Sequence, residues 1–450
     1  MTLTAELAHL ILNTQPSAEA REKARQGVQD FIAVTWPVLQ GHVADSGLPA
    51  LRCVYNQNDA RSKALLFGYA GHALDFDDFH ADFRGHPSTV ILPALFALTG
   101  ETRATAEQFL DAYAIGVEVA GRLGLAAGQQ HYTQGFHNTA TLGTLAAAAS
   151  VARLLATTPE QTAVLLGIAA TQASGLRAQF GSAVKPLHAG IAAQTAVSAA
   201  QLALAGFDGA HDGVIQAFLA ASSANQHVPE KLIEHWGQPW RIVAPGLEFK
   251  PYATCSGTHS AADATRVLRQ QWLDSGESLA TLLANISHID VAFPPGGDIA
   301  ASVRVPNNGI EARFSLEYVI AGILLYDDLR LPDFAEGDVN PEIMALAAKV
   351  QRPPDETAPP DALNPAIRFH LVTIYLQDGQ RLSCRRTRQE SLAIPFDLAG
   401  KLASNLQGEP VARREELIKW SALRQDADLN AIGEALSTSL INVRINIGIE

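Results

Sequence analysis

The sequence predicts a mainly α protein, a large all-helical domain plus a smaller α+β lid domain. Three observations predict it. Helix signals and Ala-rich runs fill the first 255 or so residues, strand-like alternation begins only after about Asn285, and a helical pattern returns from Pro395. At 450 residues the chain can bury a large core, and its length suggests roughly two to three domains. The expected organisation is a helical domain over 1–255, an α+β lid over 256–392, and C-terminal helices over 393–450 that return to the first domain.

Taken in order, Ser17 precedes a helix whose Val28, Phe31 and Ile32 share one face. Thr105–Gln108 and Thr158–Gln161 read as capping boxes, and Pro159 sits where a missing N–H costs nothing. The Ala-rich run Leu145–Ala156 lets helices approach closely. Ile286–Phe293 and Ala300–Val305 read as strands, and Ala366–Tyr375 alternates, with Ile367, Phe369, Leu371 and Thr373 on one face. Asp378-Gly379 predicts a hairpin into Arg381–Cys384. Helices are expected at about Ser315–Leu325 and Pro341–Val350, and the proline-rich Gln351–Pro365 as a surface connection.

Composition is that of an ordinary soluble globular protein, 47% hydrophobic and 18% charged. A net charge of -13 argues against nucleic acid or an anionic membrane as partner, while leaving room for a small anionic substrate in a local cationic pocket. Cys53, Cys255 and Cys384 lack metal-type spacing and fit a reducing, cytoplasmic setting. No secretion signal is visible at the N-terminus. The uncharged stretch Ala189–Phe207 is rich in Ala, Gln, Ser and Thr, which reads as a buried helix in a tight bundle rather than a membrane span.

Chemistry concentrates between Gly71 and Pro87, where four aspartates, three histidines and an arginine crowd together after the apolar run Ala64–Phe67. Burying such groups unpaired costs several kcal/mol each, so a core helix ending in them usually ends at a site. Three functional readings stand. Asp77, Asp78, His80, Asp82 and His86 could ligate a metal. Asp77-Asp78 and Asp82 could form the aspartate-rich magnesium-diphosphate motif of a helical terpenoid synthase. The third reading is a metal-free acid–base and substrate-binding loop. A solvated polar loop is the plain alternative.

His137, in Gly135-Phe-His-Asn-Thr, lies near the N-terminus of an Ala-rich helix, where the dipole favours a neutral imidazole. It could equally serve only the helix end. Lys185 and Lys250 both open Lys-Pro turns, and two fixed cations facing one site would suit a substrate with two carboxylates. Either lysine could also simply reach solvent. Tyr318, at the start of a later helix, reads as an amphipathic core residue.

Together these segments resemble the MmgE/PrpD family, which includes 2-methylcitrate dehydratase, cis-aconitate decarboxylase and iminodisuccinate epimerase. The matching pieces are Gly71–Asp78, His86-Pro-Ser88, Gly135–His137, Lys185–Gly190, Gly206-Phe207, Lys250–Tyr252, Thr258-His259 and Ser315–Tyr318, in family order. The resemblance implies a homodimer and catalysis with neither metal nor organic cofactor. It assigns the site to Asp75, His86, His137, Lys185, Lys250 and Tyr318, and Tyr132 looks like a tyrosine of the epimerase branch. Phe79 and Cys255 stand where the decarboxylase branch has a threonine and a histidine, and so count as substrate-binding positions.

The resemblance therefore implies a cofactor-independent, dehydratase-type lyase acting on a small di- or tricarboxylate by proton abstraction α to a carboxylate. Lys185 and Lys250 would stabilise the doubly charged aci-form, His137 or a lysine would be the base, and His86 oriented by Asp75 the acid. The alternatives are a dicarboxylate epimerase with Tyr132 as second acid, a magnesium-dependent terpenoid synthase, and a non-catalytic carboxylate-binding paralogue.

Overall fold

The structure, a computed structural model, describes residues 2–361 and 367–441. The end of the proline-rich connection, the strand start expected at Ala366 and the last nine residues lie outside the described residues. The chain divides into two compact units. The first comprises Met1–Ala73, Asp77–Phe249 and Asp397–Glu450, and the second Leu74–Phe76 and Lys250–Phe396.

The first unit is helical. Its main elements are α1 (Ala18–Leu39), α2 (Ala60–His72), α3 (Ser88–Ala97), α4 (Ala106–Thr133), α5 (Thr141–Leu154), α6 (Pro159–Gln172) and α7 (Val184–Leu204). Helices over Leu398–Asn405, Val411–Ser421 and Asp426–Ile441 complete it. Ser17 caps α1, and both expected capping boxes form, Thr105 with Gln108 on α4 and Thr158 with Gln161 on α6. Val28, Phe31 and Ile32 are buried together. The uncharged run becomes α7, whose alanines are buried. Among the described residues no helix is long and apolar enough to cross a membrane.

One crossing in this unit fixes the site. A Cβ on Gly68 of α2 would lie 2.8 Å from the Gly190 Cα, and a Cβ on Gly190 of α7 would lie 2.4 Å from the Leu65 carbonyl oxygen. Only glycine lets the two backbones meet there. His72, one turn beyond Gly68, is thereby brought beside the first turns of α7.

The second unit holds a four-stranded sheet, β1 (Ile286–Ala292), β2 (Val350–Gln351), β3 (Phe369–Leu376) and β4 (Arg381–Thr387), in the order β2-β1-β3-β4. β1 runs parallel to β2 and antiparallel to β3, and β3 turns back into β4 across Asp378-Gly379, with Gly379 at φ 88° as such a turn requires. Helices α8 (His259–Asp274), α9 (Leu316–Tyr326) and α10 (Pro341–Ala347) supply much of the rest of its core.

One strand expectation changes. Ala300–Val305 makes no strand, only a bridge of Ser302 to Ser315. Its carbonyls are taken by a side chain instead: Arg352 donates to the Ala301 and Val303 oxygens at 2.7 Å each while its fork holds Glu317. On β3 the core face carries His370, Val372, Ile374 and Leu376, and Ile367 is exposed. The even-numbered set wins because Val372, Ile374 and Leu376 are the larger apolar group, with His370 bonded at Nδ1 to the Ser260 hydroxyl (2.7 Å).

Candidate active site

The acidic-histidine segment is not a solvated loop, because most of it is buried. Past α2 the chain is pinned to its own unit. Phe79 and Glu248 exchange backbone hydrogen bonds, the His80 N–H reaches the Gly85 carbonyl (3.0 Å), and the His86 N–H reaches the Thr139 hydroxyl (3.0 Å). Asn138 donates to the Phe83 carbonyl at 2.9 Å, so the turn before α5 clamps the same loop.

The first unit thereby gathers a chain of four histidines, two of them on one carboxylate. His72 Nδ1 lies 2.8 Å from Asp77 Oδ2, and His86 Nδ1 lies 3.4 Å from the same oxygen. His86 Nδ1 also donates to the Asp78 carbonyl at 2.8 Å. A carbonyl only accepts, so His86 carries its proton on Nδ1 and presents Nε2 as its basic nitrogen. The His72–Asp77 bond fixes the same tautomer in His72. The His72 ring lies 4.8 Å from His86 and 5.7 Å from His137, centroid to centroid. His137 Nδ1 lies 3.2 Å from His188 Nδ1, which obliges one ring to donate and the other to accept.

Helix α7 contributes twice. Lys185 sits in its first turn and is buried, with its ammonium 5.3 Å from the centre of the Phe180 ring. His188 follows three residues on, on the same face. Phe180 also packs edge-on against His137 at 5.0 Å, and Phe79 edge-on against His86 at 5.7 Å.

Burial dominates the electrostatics. It holds His137 well below the usual histidine range, assisted by His72, Lys185, His188 and His86. It lowers His188 to about 4, with His72 and Lys185 adding to the effect. Both rings are therefore neutral at pH 7. Asp78 faces away from this chemistry. Burial raises its carboxyl well above the ordinary value, and it bonds the Ser88 hydroxyl, which in turn meets the Tyr113 hydroxyl.

His72, Asp77 and His86 each offer a possible ligand atom within 4.8 Å of one another. The other residues of the metal and magnesium-diphosphate readings are engaged elsewhere. Asp82 pairs with Arg241 at 3.1 Å, His80 Nε2 bonds the Arg241 carbonyl at 2.9 Å, and Asp78 is the buried carboxyl just described. Of the aspartate-rich diphosphate motif, Asp78 and Asp82 are thus engaged elsewhere, and Asp77 is left beside the histidines.

The remaining sequence candidates fall in different places. Tyr132, at the end of α4, is half-buried, with the Arg177 guanidinium 4.0 Å over its ring. In the second unit Lys250 is buried and donates to both the backbone carbonyl (2.7 Å) and the carboxylate (3.1 Å) of Asp75. Tyr318 lies in that unit's core, its hydroxyl accepting from the Asn340 N–H (2.9 Å) and donating to the Asp333 carbonyl (3.4 Å). Cys255 is half-buried, its thiol 3.7 Å from the Ala300 carbonyl.

Sequence reasoning paired His86 with Asp75 and gave no orienting part to Asp77, the carboxylate that His72 and His86 both contact within the first unit. It passed over His72 and His188 as acid–base groups. The signal for His188 was present: a histidine three residues after a helix-opening lysine must share its face.

Two family profiles and several known proteins match this chain. The MmgE/PrpD N-terminal domain profile matches residues 4–223, and the MmgE/PrpD C-terminal domain profile matches residues 252–391. Human cis-aconitate decarboxylase is 29% identical over 354 residues, covering 74% of this chain and 69% of that protein. A cis-aconitate decarboxylase of Aspergillus terreus is 27% identical over 384 residues, 77% of each chain. The cis-aconitate decarboxylase-like protein oryM of Aspergillus oryzae is 28% identical over 366 residues, 74% of this chain and 75% of that one. With both of its domain profiles matched in order across most of the sequence, the chain belongs to the MmgE/PrpD family.

Proposed function

We propose that this protein is a lyase acting on a small di- or tricarboxylate, with its chemistry at the carbon next to a carboxylate. The observation that carries the reading is the buried chain of His188, His137, His72 and His86, with Asp77 on the last two and Lys185 in the adjoining helix turn. Three of the relatives carrying the name cis-aconitate decarboxylase favour a lyase over an epimerase.

Lys185 binds a substrate carboxylate, aided by the dipole of α7. Breaking a C–C bond to release CO2, or a C–H bond to start dehydration, leaves an electron pair on the adjacent carbon. That pair delocalises into the carboxylate and adds a second negative charge, which a fixed cation stabilises by several kcal/mol. The His137–His188 pair supplies the proton chemistry. The ring that donates through Nδ1 has a basic Nε2, and the ring that accepts there carries its proton on Nε2. One base and one acid are thus presented without net charge. His72, oriented by Asp77, is a second base whose imidazolium form the carboxylate stabilises. Phe79 places an apolar edge on His86 where the decarboxylase branch has a threonine, so the reading fixes the substrate class and not a single acid.

Proton NMR in D2O with cis-aconitate, citrate, 2-methylcitrate and iminodisuccinate, with and without EDTA, tests this. The expected result is EDTA-insensitive consumption of one of the first three, with release of CO2 or water. Deuterium uptake with inversion and no C–C or C–O cleavage would replace the lyase by an epimerase. No reaction with any of the four would remove the proposal.

A further inference from the structure

One buried carboxyl group of the first unit takes no part in the chemistry proposed above. Asp78 is fully buried, and burial together with the charges of Asp30 and Asp77 opposes its ionisation. Keeping such a group in a core is costly unless its hydrogen bonds are complete. Here those bonds lead to His86 from both ends of one residue. The Asp78 carbonyl accepts the Nδ1 proton of His86 at 2.8 Å. The Asp78 side chain faces Ser88, two residues beyond His86, and accepts from the Ser88 N–H at 3.4 Å and from the Ser88 hydroxyl. A closed loop results, from His86 Nδ1 through Asp78 to Ser88 and back along Pro87.

The loop is locked from outside. The Tyr113 hydroxyl of α4 meets the Ser88 hydroxyl, and both residues are buried. Each hydroxyl carries one proton, so the chain is complete in one direction: Tyr113 donates to Ser88, and Ser88 to the Asp78 carboxylate. The reverse direction leaves the Tyr113 proton without an acceptor among the described residues. The Ser88 bonds thus offset part of what burial costs the carboxylate. Two further features converge on the same atoms. Pro87 caps α3 without a side-chain acceptor, so the Ser88 N–H depends on Asp78. Gly27 is buried within α1, where alanine is the better helix former, yet a Cβ there would overlap the Tyr113 hydroxyl.

We propose that Ser88 and Tyr113 are positioning residues for His86: through Asp78 they keep its proton on Nδ1 and leave Nε2 as the basic nitrogen. Without the Asp78–Ser88 bridge, His86 and the Asp78 carbonyl are free to part. Nδ1 then keeps only the Asp77 oxygen, 3.4 Å away and already bonded to His72, and the proton distributes over both ring nitrogens. The inference rests on the proposed function for its effect on rate, and on the hydrogen bonds alone for the state of the ring.

The test is 15N–1H NMR of the full chain labelled in its histidine rings, with His86 assigned by its loss in His86→Asn. Wild type, Ser88→Ala and Tyr113→Phe are compared, with kcat and KM measured on the acid found by proton NMR. Wild-type His86 should show a protonated Nδ1 and a bare Nε2. Ser88→Ala should mix the tautomers and lower kcat by about tenfold or more, with KM changed less than about threefold. Tyr113→Phe should do the same more weakly, by about threefold in kcat. If Ser88→Ala fails to fold, Tyr113→Phe decides. Ser150→Ala removes a buried hydroxyl bonded to the Ala112 carbonyl, next to Tyr113, and should leave both ring and rate unchanged. A wild-type His86 ring in both variants, mixed tautomers with unchanged kcat, or an equal change in Ser150→Ala would overturn the inference. Mixed tautomers in a protein that turns over no acid keep the positioning and lose the lyase reading. Turnover at wild-type kcat with an unmixed ring in both variants does the reverse.

Discussion

Replacing Gly190 with alanine probes the contact on which the candidate site depends. The new Cβ would stand 2.4 Å from the Leu65 carbonyl oxygen and 3.2 Å from its carbon, against backbone that cannot swing away. Reaching ordinary van der Waals separation requires α2 and α7 to part by about 1 Å at the crossing. Overpacking of this kind costs about 1–3 kcal/mol, and alanine returns about 1 kcal/mol of helix propensity over glycine, leaving a net loss of up to about 2 kcal/mol. The functional effect is larger. His72 rides on α2, whereas Lys185 and His188 ride on α7, so the parting separates groups that must act on one substrate. A misplacement of about 1 Å costs on the order of a hundredfold in rate. The assay is kcat/KM on the acid found by NMR, alongside a urea midpoint. Gly100→Ala serves as control, since a Cβ there meets nothing within 4 Å. A folded Gly190→Ala protein with wild-type kcat/KM would refute the argument that this crossing positions the site.

Lys185→Ala should lower kcat/KM by at least about tenfold to a hundredfold while the circular dichroism spectrum stays native, and an unchanged rate would remove Lys185 from substrate binding. His188→Ala should lower kcat and displace its pH profile, because His137 loses the Nδ1 partner that sets its tautomer, and His188→Asn should restore part of the rate; identical profiles in all three proteins would show that His188 merely fills space. Lys250→Met should destabilise the protein by about 3–5 kcal/mol by leaving the buried Asp75 carboxylate without its ammonium, and adding Asp75→Asn should recover much of that loss in urea denaturation. Acid should weaken the fold early: burial lowers His131 and His188 to about 4 and His259 and His370 to about 3, so the unfolded chain, titrating near 6.5, binds protons that the folded chain refuses. Stability is therefore full above about pH 6.5 and falls as pH drops toward 4, by up to about 2 kcal/mol per histidine by pH 5, and equal urea midpoints at pH 7.5 and 5 would contradict this.

Local signals carried well into the structure and long-range ones did not. Ser17, Thr105 and Thr158 announce their helices because a cap is complete within four residues. Asp378-Gly379 announces its hairpin for the same reason. Ala300–Val305 has strand composition, but the groups that decide its fate, Arg352 and Glu317, lie far along the chain. On β3 alternation gives the period and not the side, and the side follows from what packs above the sheet. The site shows the same division. His86, His137 and Lys185 stand in recognisable segments, whereas the backbone contact of Gly68 with Gly190 spans more than a hundred residues and has no local mark. That contact turns His72 and His188 from two unremarked histidines into members of the cluster.

The electrostatics of the first unit link binding to reactivity. A base must be unprotonated before the substrate arrives and strong once it is bound, and a fixed pKa cannot satisfy both demands. Here part of what depresses His137 is the charge of Lys185, added to burial and the neighbouring rings. The same lysine contributes to the lowering of His188. A carboxylate that docks on Lys185 cancels that contribution and brings its own negative charge, so the proton affinity of both rings rises when the substrate is in place. Solvent protons are refused in the empty protein because the cation and the burial oppose them together. If Lys185 binds the substrate as proposed, the cation that selects the anion also holds the base in reserve, and one face at the start of α7 carries both groups.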